Sequence, residues 1–197
     1  MKRYALYVAV LAGLLGLGWS LPGVYTLTAE SRLWIDGTST LHDWTCEATT
    51  LTGTLRVPDG AAGLEAGLAG AEVVVPVAGI DCKKDKMNGN LWKALKAEDH
   101  PEIRYVLDQA TARPGEVAGT FVLETKGRLT VAGVEQPLEM AVTGQVLEDG
   151  RYRFAGRTAF SMKIFDVKPP SLMLGTIKTG EDVTVRFDVV AAPAGTL

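Results

Sequence analysis

Ser39, His42, Asp43 and Cys46 fall within ten residues, "STLHDWTCEA". The chain holds two histidines and two cysteines in all, so this stretch carries half of each. A serine relay needs a base beside the hydroxyl and a carboxylate that orients the base. In an extended segment, however, His42 and Asp43 point to opposite faces. No G-x-S-x-G nucleophile elbow occurs elsewhere in the chain. A metal site would draw on His42 and Cys46, which share one face of an extended strand with Trp44, and on Cys82 and His100. That spacing matches no common zinc pattern, and no C-x-x-C pair is present. These residues therefore assign no catalytic group and no metal ligand.

The N-terminus bears on what the cysteines do. Lys2 and Arg3 precede an apolar run from Tyr4 to Trp19, and Gly18 and Ser20 form a small-x-small step. This is the pattern of a secretory signal, and the run is shorter than the roughly 20 residues that span a bilayer. We expect a signal peptide over residues 1–20, a mature domain over 21–197 without a stable membrane span, and a periplasmic or secreted destination. Removing Lys2 and Arg3 takes the formal charge from −3 to −5. An exported protein meets oxidising conditions, which favour a Cys46–Cys82 disulfide over free thiols. A loop of that span contributes about 4 kcal/mol on the chain-entropy model.

Other chemistries find little support. No phosphate-cradling glycine loop is present. Basic residues are scattered except for "KKDK" at Lys83–Lys86, followed by Lys93 and Lys96, which argues against a nucleic-acid partner. The cluster is either a solvated helix face or a collar for an anionic head group.

The elements that must position these residues are mostly strands. Val117, Phe121, Leu123, Leu129 and Val131 alternate with Thr120, Glu124, Lys126, Arg128 and Thr130. Leu138, Met140, Val142 and Val146 alternate with Glu139, Thr143 and Gln145, after a turn at Ala132–Gln136. Tyr152, Phe154 and Phe160, then Val183, Val185, Phe187 and Val189, continue the pattern. A period of two with one wet face is the mark of antiparallel strands. Val24–Leu33, Leu51–Val57, Ala71–Val77 and Ile103–Leu107 read as further strands. One helix is expected over Asn88–Ala97, with Met87, Leu91, Ala94 and Leu95 on one face. About eight one-faced strands and a single short helix require a sheet that closes on itself or splits into a sandwich. Small residues interrupt the apolar faces: Gly119, Thr125, Gly127, Gly144, Gly156 and Thr158. Either they bend the strands or they leave space inside a barrel. The apolar "FDVKPPSLMLGTIKTG" with Pro169–Pro170 is expected to fold over a barrel end, as packing or as a ligand-facing lip.

Four stretches carry a resemblance: "GTSTLHDWTCEATTLTGTL", "MNGNLWKALKAEDHPEIRY", "GRLTVAGVEQPLEM" and "FDVKPPSLMLGTIKTGEDVTVRFDV". In this order they resemble the YceI-like family of exported bacterial proteins. The resemblance implies an all-β, eight-stranded antiparallel, lipocalin-like barrel with one short helical insertion. It also implies a binding protein rather than an enzyme, one that sequesters or carries an amphiphilic lipid such as an isoprenoid quinone, a prenyl phosphate or a fatty lipid. Beyond that lipid no cofactor is implied. Many members carry "RD-x-HL" before the helix, where this chain has "DKMNGNLW", so head-group contacts are not carried over to Lys86 or Asn90. A cysteine pair is not general to the family either.

Phe121, Leu123, Met140, Val142, Phe154 and Phe160 are the expected wall for a lipid tail, with His42, Trp44 and Leu91 as further contacts. His42 is either a structural histidine or a polar contact near the ligand. The alternative is a structural, stress-related barrel filled by its own side chains. The protein is expected to be a monomer or a homodimer.

Overall fold

The computed structural model describes residues 23–58, 67–172 and 177–195; the expected signal segment, Met173 and Leu174 lie outside them. Twelve strands form one antiparallel system: β1 (Gly23–Leu27), β2 (Arg32–Ser39), β3 (Trp44–Ala48), β4 (Thr52–Val57), β5 (Gly70–Pro76), β6 (Ile80–Asp81), β7 (Glu102–Pro114), β8 (Thr120–Val131), β9 (Val134–Val146), β10 (Tyr152–Ser161), β11 (Ser171–Leu172) and β12 (Ile177–Pro193). The helix α1 covers Asp85–Ala94.

The short strands pair up into longer arms. β1 and β2 both lie along β12, with Tyr25 opposite Pro193 and Arg32 opposite Asp188. β4 and β3 run along β1 and β2 in turn, and β5 and β6 along β4 and β3. β7 to β10 follow as a meander, and β12 closes it. The result is a closed, eight-stranded antiparallel barrel with one helix. Closure gives each arm a neighbour on both sides and leaves little free edge, chiefly at the short β6, which pairs with β3 alone.

Three local departures from the sequence reading have clear causes. The arm expected over Val24–Leu33 is broken between β1 and β2, where the Ser31 hydroxyl donates to the Val190 carbonyl (3.2 Å) and accepts from the Val190 amide (3.1 Å). The turn expected at Ala132–Gln136 shrinks to Ala132 and Gly133, both at positive φ (50° and 83°), a pair that suits a tight hairpin. α1 begins at Asp85, where the carboxylate favours a helix N-terminus, and ends at Ala94 because Lys96 turns to φ 53°.

Alternation sorts the faces as expected. Outward side chains form cross-strand ion pairs: Arg104–Glu72, Arg113–Glu124, Lys126–Glu139, Arg128–Asp108 and Arg153–Asp188. This charged exterior and apolar interior invert the pattern of a transmembrane barrel. Among the described residues, no helix is long and apolar enough to cross a membrane.

One end of the barrel is shut by aromatic rings. Tyr25 and Tyr152 lie 4.7 Å apart between centroids, and Phe121 meets Phe154 edge-on at 6.2 Å, both good aromatic geometries. Leu55, Val57 and Ala191 are buried with them. Burial, followed by the neighbouring Tyr25 hydroxyl, pushes the Tyr152 phenol up to about 12.

Candidate ligand-binding cavity

Above the aromatic floor the barrel is hollow. A continuous cavity of about 470 Å³ runs from Phe154 to the opposite end. Its walls are the inward residues of the arms, among them Leu33, Ile35, Val73, Leu107, Leu123, Met140, Val142, Val185 and Phe187. The helix forms one side of the mouth. Met87, Leu91, Ala94 and Leu95, expected on one helical face, all line the cavity.

The glycines do not create this space, contrary to the reading that they leave room inside. A β-carbon at Gly144 would fall 2.1 Å from the Phe121 ring, one at Gly156 2.6 Å from Phe187, and one at Gly127 2.6 Å from the Tyr105 hydroxyl. Each glycine is the seat of an aromatic ring from an adjacent strand. Rings laid across glycines in this way cover backbone and fix register. Gly119, at φ 79°, serves the loop before β8. Of the interrupting residues only Thr125 and Thr158 line the cavity.

The Ser39–Ala48 stretch forms the mouth's edge. Ser39 Oγ donates to the His42 carbonyl (2.8 Å), so it is spent on the hairpin turn. His42 Nδ1 lies 2.7 Å from the Asp43 carbonyl. A carbonyl only accepts, so the proton sits on Nδ1 and the Nε2 lone pair is free when the ring is neutral. Neither bond links one side chain to another, so no catalytic relay exists here. Trp44 packs over Gly37 and donates from Nε1 to the Thr38 carbonyl at 3.0 Å.

Cys46 and Cys82 are bonded, with Cα atoms 4.0 Å apart. Their sulfurs are therefore not thiolate ligands, which removes the metal alternative built on them. The bridge ties β3 to the segment that enters α1. Asn88 Oδ1 accepts from the Cys82 amide at 2.7 Å, and Asn88 Nδ2 donates to Asp81 at 3.1 Å. His100 packs against Gly133 at the β8–β9 turn. Among the described residues, no group of three or more His, Cys, Asp or Glu is placed to hold a metal.

Of the nine expected contact residues, His42, Trp44, Leu91, Leu123, Met140, Val142, Phe154 and Phe160 line the cavity. Phe121 does not. It points inward, as alternation requires, but it lies at the closed end, buried on Gly144 and Phe154.

Lys84 and Lys86 are the only lysine, arginine or acidic residues among the described lining residues, and both are exposed at the mouth. Neither has a carboxylate partner among the described residues. The sequence showed a basic cluster but not its position, because the turn into α1 sets the direction. Pro170 and Thr179 also reach the mouth, and Phe165 and Val167 are buried beside it. The expected strap thus does pack on a barrel end, through these residues.

A YceI-like domain model matches residues 26–191, which spans all eight arms and the helix. The chain belongs to the YceI-like family. Solved structures agree on the fold. BcnA of Burkholderia cenocepacia superposes with a TM-score of 0.66 at 17% identity, over 83% of this chain and 98% of that one. A polyisoprenoid binding domain from Saccharophagus degradans, implicated in plant cell wall breakdown, gives 0.66 at 14% identity over 87% and 99%. The YceI protein of Campylobacter jejuni gives 0.53 at 14% identity over 72% and 80%. No curated protein matches the sequence. At these identities the superpositions speak for the fold alone.

Proposed function

We propose that this YceI-like protein is an exported binding protein, not an enzyme, that sequesters or carries an amphiphilic hydrophobic lipid. The tail lies in the barrel against Leu123, Met140, Val142 and Phe154, and the head stays at the mouth beside His42, Lys84 and Lys86. The observation that carries this reading is the cavity of about 470 Å³, whose charged groups are confined to its mouth. A cavity of that size and apolar lining falls within the range of small-molecule sites. Burying hydrocarbon there gains about 0.8 kcal/mol per methylene, whereas burying a bare charge costs far more. The amphiphile is thereby oriented. The cavity also favours this reading over a barrel filled by its own side chains.

A polyisoprenoid is the first tail to test, since one structural neighbour is described as a polyisoprenoid binding domain. The two lysines favour an anionic head such as a phosphate. Export is supported by the Cys46–Cys82 bridge, which persists in oxidising compartments, and by the signal-like N-terminus. The test is uptake. Delipidated protein is mixed with vesicles containing a prenyl phosphate and re-isolated by gel filtration. Lipid that co-elutes with the protein at about one per chain is the expected result. Protein that elutes free of lipid refutes the carrier function.

A further inference from the structure

α1 forms one side of the mouth, and little holds its middle there. None of its ten residues is buried. Met87, Leu91, Ala94 and the adjoining Leu95 rest on the buried clusters around Ile80 and Phe165. All four stay half-buried, because the space in front of them is the cavity. The fastening is at the two ends. The Cys46–Cys82 bridge and the two Asn88 side-chain bonds hold the first turn to β3 and β6. At the far end the Val77 amide donates to the Pro101 carbonyl at 2.8 Å. Between these anchors, among the described residues, the hydrogen bonds of residues 89–100 reach no strand; the Ala97 amide donates to the Trp92 carbonyl and the His100 amide to that of Lys96. The β2–β3 turn on the mouth's edge, by contrast, is pinned to β12, where the Thr40 amide donates to the Lys178 carbonyl at 3.0 Å.

The sequence makes the helix weak as well. Its ten residues fall short of the roughly 12–15 that sustain an isolated helix. Lys84 supplies no side-chain cap, and Asn88, Gly89 and Asn90 place three poor helix formers in succession. Neither space nor backbone requires the glycine. A β-carbon at Gly89 would meet nothing within 4 Å, and its φ is not positive. It sits just past Asn88, the last anchored residue. Resting on the carrier reading above, we infer that α1 is the gate of the cavity and opens by local unfolding from Gly89 onward, between fixed ends at Asn88 and Pro101. Segments with little buried apolar surface are the ones that open locally, and lids are drawn from them. A bound tail lies against Leu91 and Leu95 and adds to their burial, so the ligand favours the folded helix. The unfolded gate admits the lipid, and the lipid closes the gate.

The experiment follows cis-parinaric acid, a fatty acid that fluoresces in apolar surroundings, into and out of delipidated protein by stopped flow. Gly89→Ala touches neither the cavity wall nor any neighbour. It should slow uptake and release by the same factor, about fivefold, the Gly-to-Ala difference in helix propensity, and leave Kd unchanged. Lys93 is exposed and lies off the cavity wall. Lys93→Gly should speed both steps relative to Lys93→Ala, which shares the lost charge. In ligand-free protein, amide exchange over residues 91–95 should fall about fivefold in Gly89→Ala. Unchanged rates in Gly89→Ala with binding intact overturn the gate and leave the carrier function standing. Unchanged exchange over residues 91–95 overturns the local unfolding. Failure of the probe to enter wild type overturns the carrier reading, and the gate falls with it.

Discussion

The ring of Phe121 lies across the α-carbon of Gly144, so close that a β-carbon on Gly144 would sit 2.1 Å from two ring carbons. The two residues face each other on β8 and β9, and Phe121 in turn meets Phe154. This stack is the floor of the barrel. Gly144→Ala must displace a buried ring against packed neighbours, which costs about 1–3 kcal/mol. A thermal melt of the variant should show a clear drop. A melt superimposed on wild type would mean that the floor yields freely.

The Cys46–Cys82 bridge should also be read out as stability. Replacing both cysteines by alanine is expected to cost about 2–5 kcal/mol, seen as a lower urea midpoint. Because the bridge ties β3 to the entrance of α1, amide exchange should rise first in α1 and at the mouth. Exchange that rises evenly around the barrel would contradict that placement.

Acid should loosen the outer face before the core. The Arg186 guanidinium, bonded to Asp36, holds that carboxyl below the ordinary range, and Arg153 does the same for Asp188. A carboxylate depressed in the folded state stabilises the protein above its unfolded pKa of about 3.9, and that contribution is lost as pH falls through the lower folded value. Both carboxylates are partly exposed, so each pair contributes only about 0.2–1 kcal/mol. Asp36→Asn with Asp188→Asn should flatten the stability-against-pH slope below about pH 4 and leave the protein slightly less stable at neutral pH. An unchanged slope would rule these two residues out as acid sensors.

The alternation of Leu123 with Glu124, or Val185 with Arg186, made the faces legible in sequence, because a period of two leaves one assignment per residue. A surplus of such strands over helices made closure legible. Parity gives a face but not a depth, and so Phe121 was expected on the cavity wall although it lies beneath it. The choice between bends and interior space at the glycines was not legible, because a gap in one strand is filled from the next and pairing register is not visible in a single segment. Tyr105 shares the inward parity of Ile103 and Leu107, a signal that could have marked it as lining the cavity. The position of Lys84 and Lys86 likewise depends on the turn into α1, where Lys83 adopts φ 63°.

The decisive measurement is mass spectrometry of organic extracts from the purified protein, made beside the variant Val185→Trp. Val185 lines the cavity opposite Thr158, so a tryptophan there fills the space a tail would occupy, at a folding cost of about 1–3 kcal/mol. A carrier yields a long-chain lipid from wild type and little or none from the folded variant. No lipid in wild type, or the same lipid in equal amount from both proteins, would contradict a ligand held inside the barrel.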